Sequence, residues 1–134
     1  MSASHLPTVL IVEDEALIAL ELEEIAKSAG WVPLAFARHQ AALAALEERQ
    51  VDFALIDGTP EGKAEFDFAR KLVRRGIKFA FCTGAPGATF PDEFRRAPLI
   101  VKPYRQGDIE ALLDAACPVQ LEHISEQGIV PTPD

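Results

Sequence analysis

Three acids, a hydroxyl and an amine are the residues of this 134-residue chain with the types to do chemistry together: Glu13 and Asp14, Asp57, Thr83, and Lys102. If they converge, the three carboxylates repel by a few kcal/mol per pair at an effective dielectric near ~20, and at least one tends to hold its proton. A divalent cation removes that conflict, and an all-oxygen ligand set points to Mg²⁺ rather than zinc. Mg²⁺ is commonly held by one or two carboxylates, several waters and a phosphate oxygen; the backbone carbonyl of Thr59, just past Asp57, would complete such a shell. A carboxylate beside Mg²⁺ is a competent nucleophile toward a phosphoryl group, giving an acyl phosphate. The transferring group develops charge on its equatorial oxygens and needs positioned cations and donors more than covalent help. Lys102 supplies a compact positive charge, and Thr83 a hydroxyl donor. Each residue alone has a plainer use: Asp14 as a helix N-cap, Asp57 as a turn residue. Their order on four separate strand ends carries the reading.

The elements that position them alternate almost throughout. Thr8–Val12 is a continuous apolar run, the pattern of a strand buried on both faces. From Asp14 to Ala29, Ile18, Leu22, Ile25, Ala26 and Ala29 form one helical stripe that Gly30 closes. Strands are predicted at 32–37, 52–56, 78–82 and 99–101, and helices at 39–49, 64–75 and 106–116. Between Thr83 and Lys102 the proline- and glycine-rich stretch leaves room for only a turn or two of helix, near Asp92 to Arg96. Regular strand–helix alternation implies right-handed crossovers and a parallel sheet covered on both sides. The fold class expected is α/β, a flavodoxin-like (βα)5 three-layer sandwich of strand order 2-1-3-4-5 with a short or irregular fourth helix. In such a sheet, Glu13, Asp14, Asp57, Thr83 and Lys102 all reach the carboxyl rim. One domain is expected over 1–117, with a polar, loosely ordered tail over 118–134.

Composition narrows the function. With 49% hydrophobic and 25% charged residues the chain is an ordinary globular protein, and no apolar run approaches the ~20 residues that span a bilayer. The first residues show no basic start and no apolar core of a signal peptide, so a cytoplasmic location is expected. Cys82 and Cys117 are far apart, and His5, His39 and His123 are scattered and read as surface residues, so no zinc site is expected. A net charge of −8 argues against a broad nucleic-acid footprint. Basic clusters at Arg70, Lys71, Arg74, Arg75 and Lys78, and at Arg95 and Arg96, read as solvated surface.

The segments Val9-Leu-Ile-Val-Glu-Asp-Glu15, Asp52-Phe-Ala-Leu-Ile-Asp57, Cys82-Thr-Gly84 and Val101-Lys-Pro-Tyr104 resemble those of response regulator receiver domains of bacterial two-component systems, over about residues 7 to 117. The resemblance implies that Asp57 accepts phosphate from a histidine kinase, that Glu13, Asp14 and Asp57 bind Mg²⁺, and that Thr83 and Lys102 read the phosphoryl group. It also implies a cis Lys102–Pro103 peptide. With no output domain behind it, the chain resembles a stand-alone receiver that acts through protein–protein contacts rather than as an enzyme. Phe79-Ala-Phe-Cys-Thr-Gly84 is similar to the Phe-x-Phe-Ala-Thr-Gly subgroup, which works with kinases of the HWE and related classes. Cys82 stands there for Ala, Lys78 for a usual Pro, and Ala85-Pro-Gly87 lacks the subgroup's Tyr. Leu99 occupies the position of the aromatic that most receivers use as a switch, so the signal is expected to travel through Gly84 to Pro98 instead. The altered surface around the fourth strand and last helix leaves a monomer or weak homodimer as the expected state. A phosphotransfer protein or another downstream protein is a further expected partner.

Three alternatives differ in chemistry. A phosphorylation-independent adaptor binding a kinase or another regulator would not need the intact five-residue set. A flavin or nucleotide binder would present a Gly-, Ser- or Thr-rich phosphate loop where this chain has Glu13-Asp-Glu15. A magnesium phosphatase would need a separate residue to activate water, and the sequence offers none.

Overall fold

The computed structural model describes residues 6–57, 63–84 and 90–118. Five parallel strands, β1 (Thr8–Val12), β2 (Val32–Phe36), β3 (Phe53–Asp57), β4 (Lys78–Thr83) and β5 (Leu99–Val101), form one sheet in the order β2-β1-β3-β4-β5. The helices are α1 (Ala16–Ser28), α2 (His39–Glu48), α3 (Lys63–Arg74) and α4 (Gln106–Ala116). This is the flavodoxin-like sandwich expected from the alternation.

Every residue of β1 is buried, because helices cover both faces of the sheet. Strand alternation sends Leu10 and Val12 to one face, where Ala42 and Leu46 of α2 and Phe68 and Leu72 of α3 pack. Val9 and Ile11 go to the other, against Leu22 and Ile25 of α1 and Ile109 and Leu113 of α4. Gly30 and Gly76 close α1 and α3 at φ +89° and +74°, a conformation costly for a side chain with a Cβ.

Two boundaries move for identifiable reasons. Asp52 is not in β3; its carboxylate accepts the Thr8 N–H at 2.9 Å, so a side chain serves as acceptor just ahead of the strand. Helix α1 begins at Ala16, not Asp14, leaving both acids after β1 outside it. Among the described residues between β4 and β5 the helical element is a 3-10 turn, Asp92–Phe94, with Phe94 buried. It leaves the edge strand partly uncovered, with Leu99 and Val101 40% and 43% exposed. His39 is not a free surface residue: its ring packs on Phe68 with centroids 5.3 Å apart and its Nε2 is buried. His5, His123, Thr59 and residues 119–134 lie outside the described residues. No helix among the described residues is long and apolar enough to cross a membrane.

Candidate metal and phosphoryl site

Register explains why residues so distant in the chain meet. Val12 lies opposite Ile56, so the next residues, Glu13 and Asp57, emerge side by side. Asp57 lies opposite Cys82, and Thr83 opposite Val101, so Thr83 and Lys102 leave the sheet at the same rim. The Lys102 N–H extends that ladder, donating to the Thr83 carbonyl at 2.7 Å. The Lys102–Pro103 peptide is cis.

Glu13, Asp14 and Asp57 each place a carboxylate oxygen within 4.8 Å of the others. Glu13 is 3% exposed, Asp57 half-buried and Asp14 exposed, so the cluster opens to solvent on one side. The Glu13 carboxylate is fixed from two directions. Its Oε2 accepts the Glu15 N–H at 3.1 Å, a local bond that caps the turn into α1. Its Oε1 accepts from Lys102 Nζ at 3.2 Å. The same ammonium donates to Asp57 Oδ1 at 2.5 Å. One cation therefore bridges two of the three acids.

The electrostatics follow. Burial raises the Glu13 pKa above the ordinary range; the Glu15 amide opposes that, Asp57 adds repulsion, and Lys102 relieves part of it. Burial works against charge on Lys102, but its hydrogen bond to Asp57 and the charges of Asp57 and Glu13 outweigh this and raise its pKa. The ammonium stays charged and neutralises about one carboxylate, leaving the cluster net negative. Three clustered carboxylates, all-oxygen and open on one side, match what a hard divalent cation requires. Nitrogen and sulfur ligands are absent from the cluster, which disfavors zinc.

Thr83 reaches the rim at the end of β4 and is 1% exposed. Two residues beneath the rim escape the sequence reading. Cys82, directly opposite Asp57, is buried, and burial pushes its thiol up to about 12. Tyr104, two residues past Lys102, has a buried hydroxyl without a hydrogen-bond partner among the described residues, and burial raises its pKa. The strand register would have pointed to Cys82; Tyr104 enters the sequence reading only as the last residue of Val101-Lys-Pro-Tyr104, with no role attached.

No family model and no curated protein matches the chain. Solved structures do. The solution structure of SdrG from Sphingomonas melonis Fr1 is 33% identical, covering 87% of this chain and 98% of that one at a TM-score of 0.69. A CheY-like response regulator receiver domain from Methylobacillus flagellatus is 21% identical, covering 84% and 99% at a TM-score of 0.71. The response regulator TrrA from Thermotoga maritima, solved in complex with Mg²⁺-BeF, is 17% identical, covering 82% and 98% at 0.71. The strand order, the acids clustered at the carboxyl rim and these likenesses agree, and the chain belongs to the response regulator receiver domains.

Proposed function

We propose that the chain is a single-domain response regulator that accepts a phosphoryl group on Asp57 from a histidine kinase. The observation that supports this most directly is the position of Asp57, which lies within 4.8 Å of both other acids and 2.5 Å from the Lys102 ammonium. In the step proposed, an Asp57 carboxylate oxygen attacks the phosphorus of a phosphohistidine. The P–N bond breaks as the P–O bond forms, and the departing imidazole nitrogen keeps the electron pair and takes a proton from water.

Glu13, Asp14 and Asp57, with the Thr59 carbonyl, are the groups that would hold Mg²⁺, which when bound supplies positive charge against the phosphoryl oxygens. Lys102 shares its proton donors between Glu13 and Asp57 before transfer and turns them to the transferred group afterwards. The Thr83 hydroxyl offers a second donor at the same rim. The phosphorylated domain, residues 1–117, then acts in the cytoplasm by binding other proteins. The motif Phe79-Ala-Phe-Cys-Thr-Gly84 supports a kinase of the HWE or a related class as donor.

The test is incubation with Mg²⁺ and acetyl phosphate followed by intact mass measurement. The expected result is a gain of one phosphoryl group, removed by hydroxylamine and absent without Mg²⁺ or in Asp57→Ala. A folded wild-type protein that shows no such gain from acetyl phosphate or from any histidine kinase would overturn the proposal.

A further inference from the structure

At the opposite end of the sheet from the acids, a cavity of about 410 Å³ opens beside the first residues of β3 and β4. Phe53, Phe79 and Phe94 line it together with Leu112 and Ala116 of α4, and Lys78 stands among them. Its lining is predominantly apolar, with Lys78 and Glu93 the charged residues on it.

Three features of the chain identify an occupant. The first is where the chain leaves the fold. Helix α4 ends at Ala116, so the residues that follow start at the groove's own wall. Twelve residues, 119 to 130, span up to ~40 Å when extended, ample to return across it. The second is composition: Val119, Leu121, Ile124 and the pair Ile129-Val130 give this stretch apolar anchors. The third is charge. The chain as a whole is at −8, yet Arg74 follows the lining residue Val73, and Arg95 and Arg96 fall between the lining residues Phe94 and Ala97. The acidic lining residue, Glu93, is already paired with Arg70. Residues 119–134 carry Glu122, Glu126 and Asp134 and neither Lys nor Arg.

We propose that residues 119–130 of this same chain close over the groove, with Ile129 and Val130 against its phenylalanines and the glutamates toward Lys78 and Arg74. A short tether holds such a segment at an effective concentration in the millimolar range, so a contact too weak to join separate chains forms within one. The basic clusters around 70–78 and 95–96 then have a role beyond solvation. This interaction lies apart from the carboxylate rim and does not depend on phosphoryl transfer.

A nitroxide attached through Thr132→Cys in a Cys117→Ser background tests it in the 134-residue protein; Cys82, 2% exposed, is closed to the reagent. The amide signals of Phe79, Ala97 and Ala115 are expected to lose more than half their intensity and to recover it when Ile129→Asp and Val130→Asp are added. Both substitutions fall outside the described fold, and unchanged dispersion of the other signals shows that it is intact. Full intensity at these amides, or equal loss with and without the double substitution, overturns the proposal. The same loss on isotope-labelled chains mixed with separate spin-labelled chains assigns the groove to a second copy and also overturns it.

Discussion

Replacing Lys102 with methionine isolates the electrostatic logic of the site, because methionine keeps most of the stem and removes only the charge. In the metal-free protein the ammonium bridges Glu13 and Asp57, whose side chains are 1% and 17% exposed. Removing one partner of a buried ion pair costs about 3–5 kcal/mol. The 22% exposure of the Lys102 side chain and the open side toward Asp14 let water screen part of this, so a loss of about 2–3 kcal/mol is expected near neutral pH. Set against a total stability of about 5–15 kcal/mol, that is a large fraction, and it lowers the urea midpoint by about 1–2 M. The sign of the pH dependence is fixed by Glu13. Its folded pKa is raised above the unfolded value, so the folded state binds its proton more tightly, and stability falls as pH rises from the ordinary glutamate range through the raised value. Lys102 limits that rise, so the variant's deficit should be larger near neutrality than under acid conditions. Urea unfolding in EDTA at pH 5 and pH 7.5, then with Mg²⁺, measures each part. Added Mg²⁺ should restore much of the lost stability. A variant as stable as wild type at pH 7.5 in EDTA, or one whose deficit grows on acidification, would refute the reasoning.

The other predictions concern separate parts of the molecule. Asp14→Asn should leave metal-free stability nearly unchanged, since Asp14 is exposed, but should abolish most of the Mg²⁺-dependent rise in melting temperature expected of the wild type. Phe81→Ala should cost about 3–5 kcal/mol in urea unfolding, because Phe81 is 1% exposed and packs against Phe66, Phe79, Phe90 and Phe94. In the native protein at pH 8, iodoacetamide should leave Cys82 unmodified by mass spectrometry and reach it only in denaturant, since its thiol is buried and pushed up to about 12. Beryllofluoride with Mg²⁺ should change amide exchange across residues 90–98; identical exchange with and without it would show that this segment does not carry the signal.

How much of this is readable from the chain differs between the rim and what lies under it. The strand runs are short, apolar and regularly spaced, so a parallel sheet follows from alternation and crossover handedness, and the flavodoxin-like order that five such units suit brings Glu13, Asp57, Thr83 and Lys102 to one rim. The resemblance to receiver domains assigns Lys102 to the phosphoryl group. Only the three-dimensional register shows the same amine serving Glu13 and Asp57 in the absence of metal. Asp52 has the look of a first strand residue, yet its carboxylate competes for a backbone amide, which periodicity does not register. His39 reads as a surface residue because nothing in sequence brings Phe68 under its ring. The stretch before β5 is legible as a helix shortened to a turn or two, but the five-phenylalanine cluster that anchors it is not. Phe66, Phe79, Phe81, Phe90 and Phe94 come from α3, β4 and the connection after it, and only packing joins them.

The edge strand that delivers Lys102 has three residues, pairs on one side only, and turns Leu99 and Val101 partly to solvent. Glu13 and Asp57, by contrast, stand at the ends of strands in the buried middle of the sheet. The amine is thus mounted on the most yielding support in the site while the acids sit on the stiffest. The positive charge is therefore the part of the site whose position rests least on the packed interior.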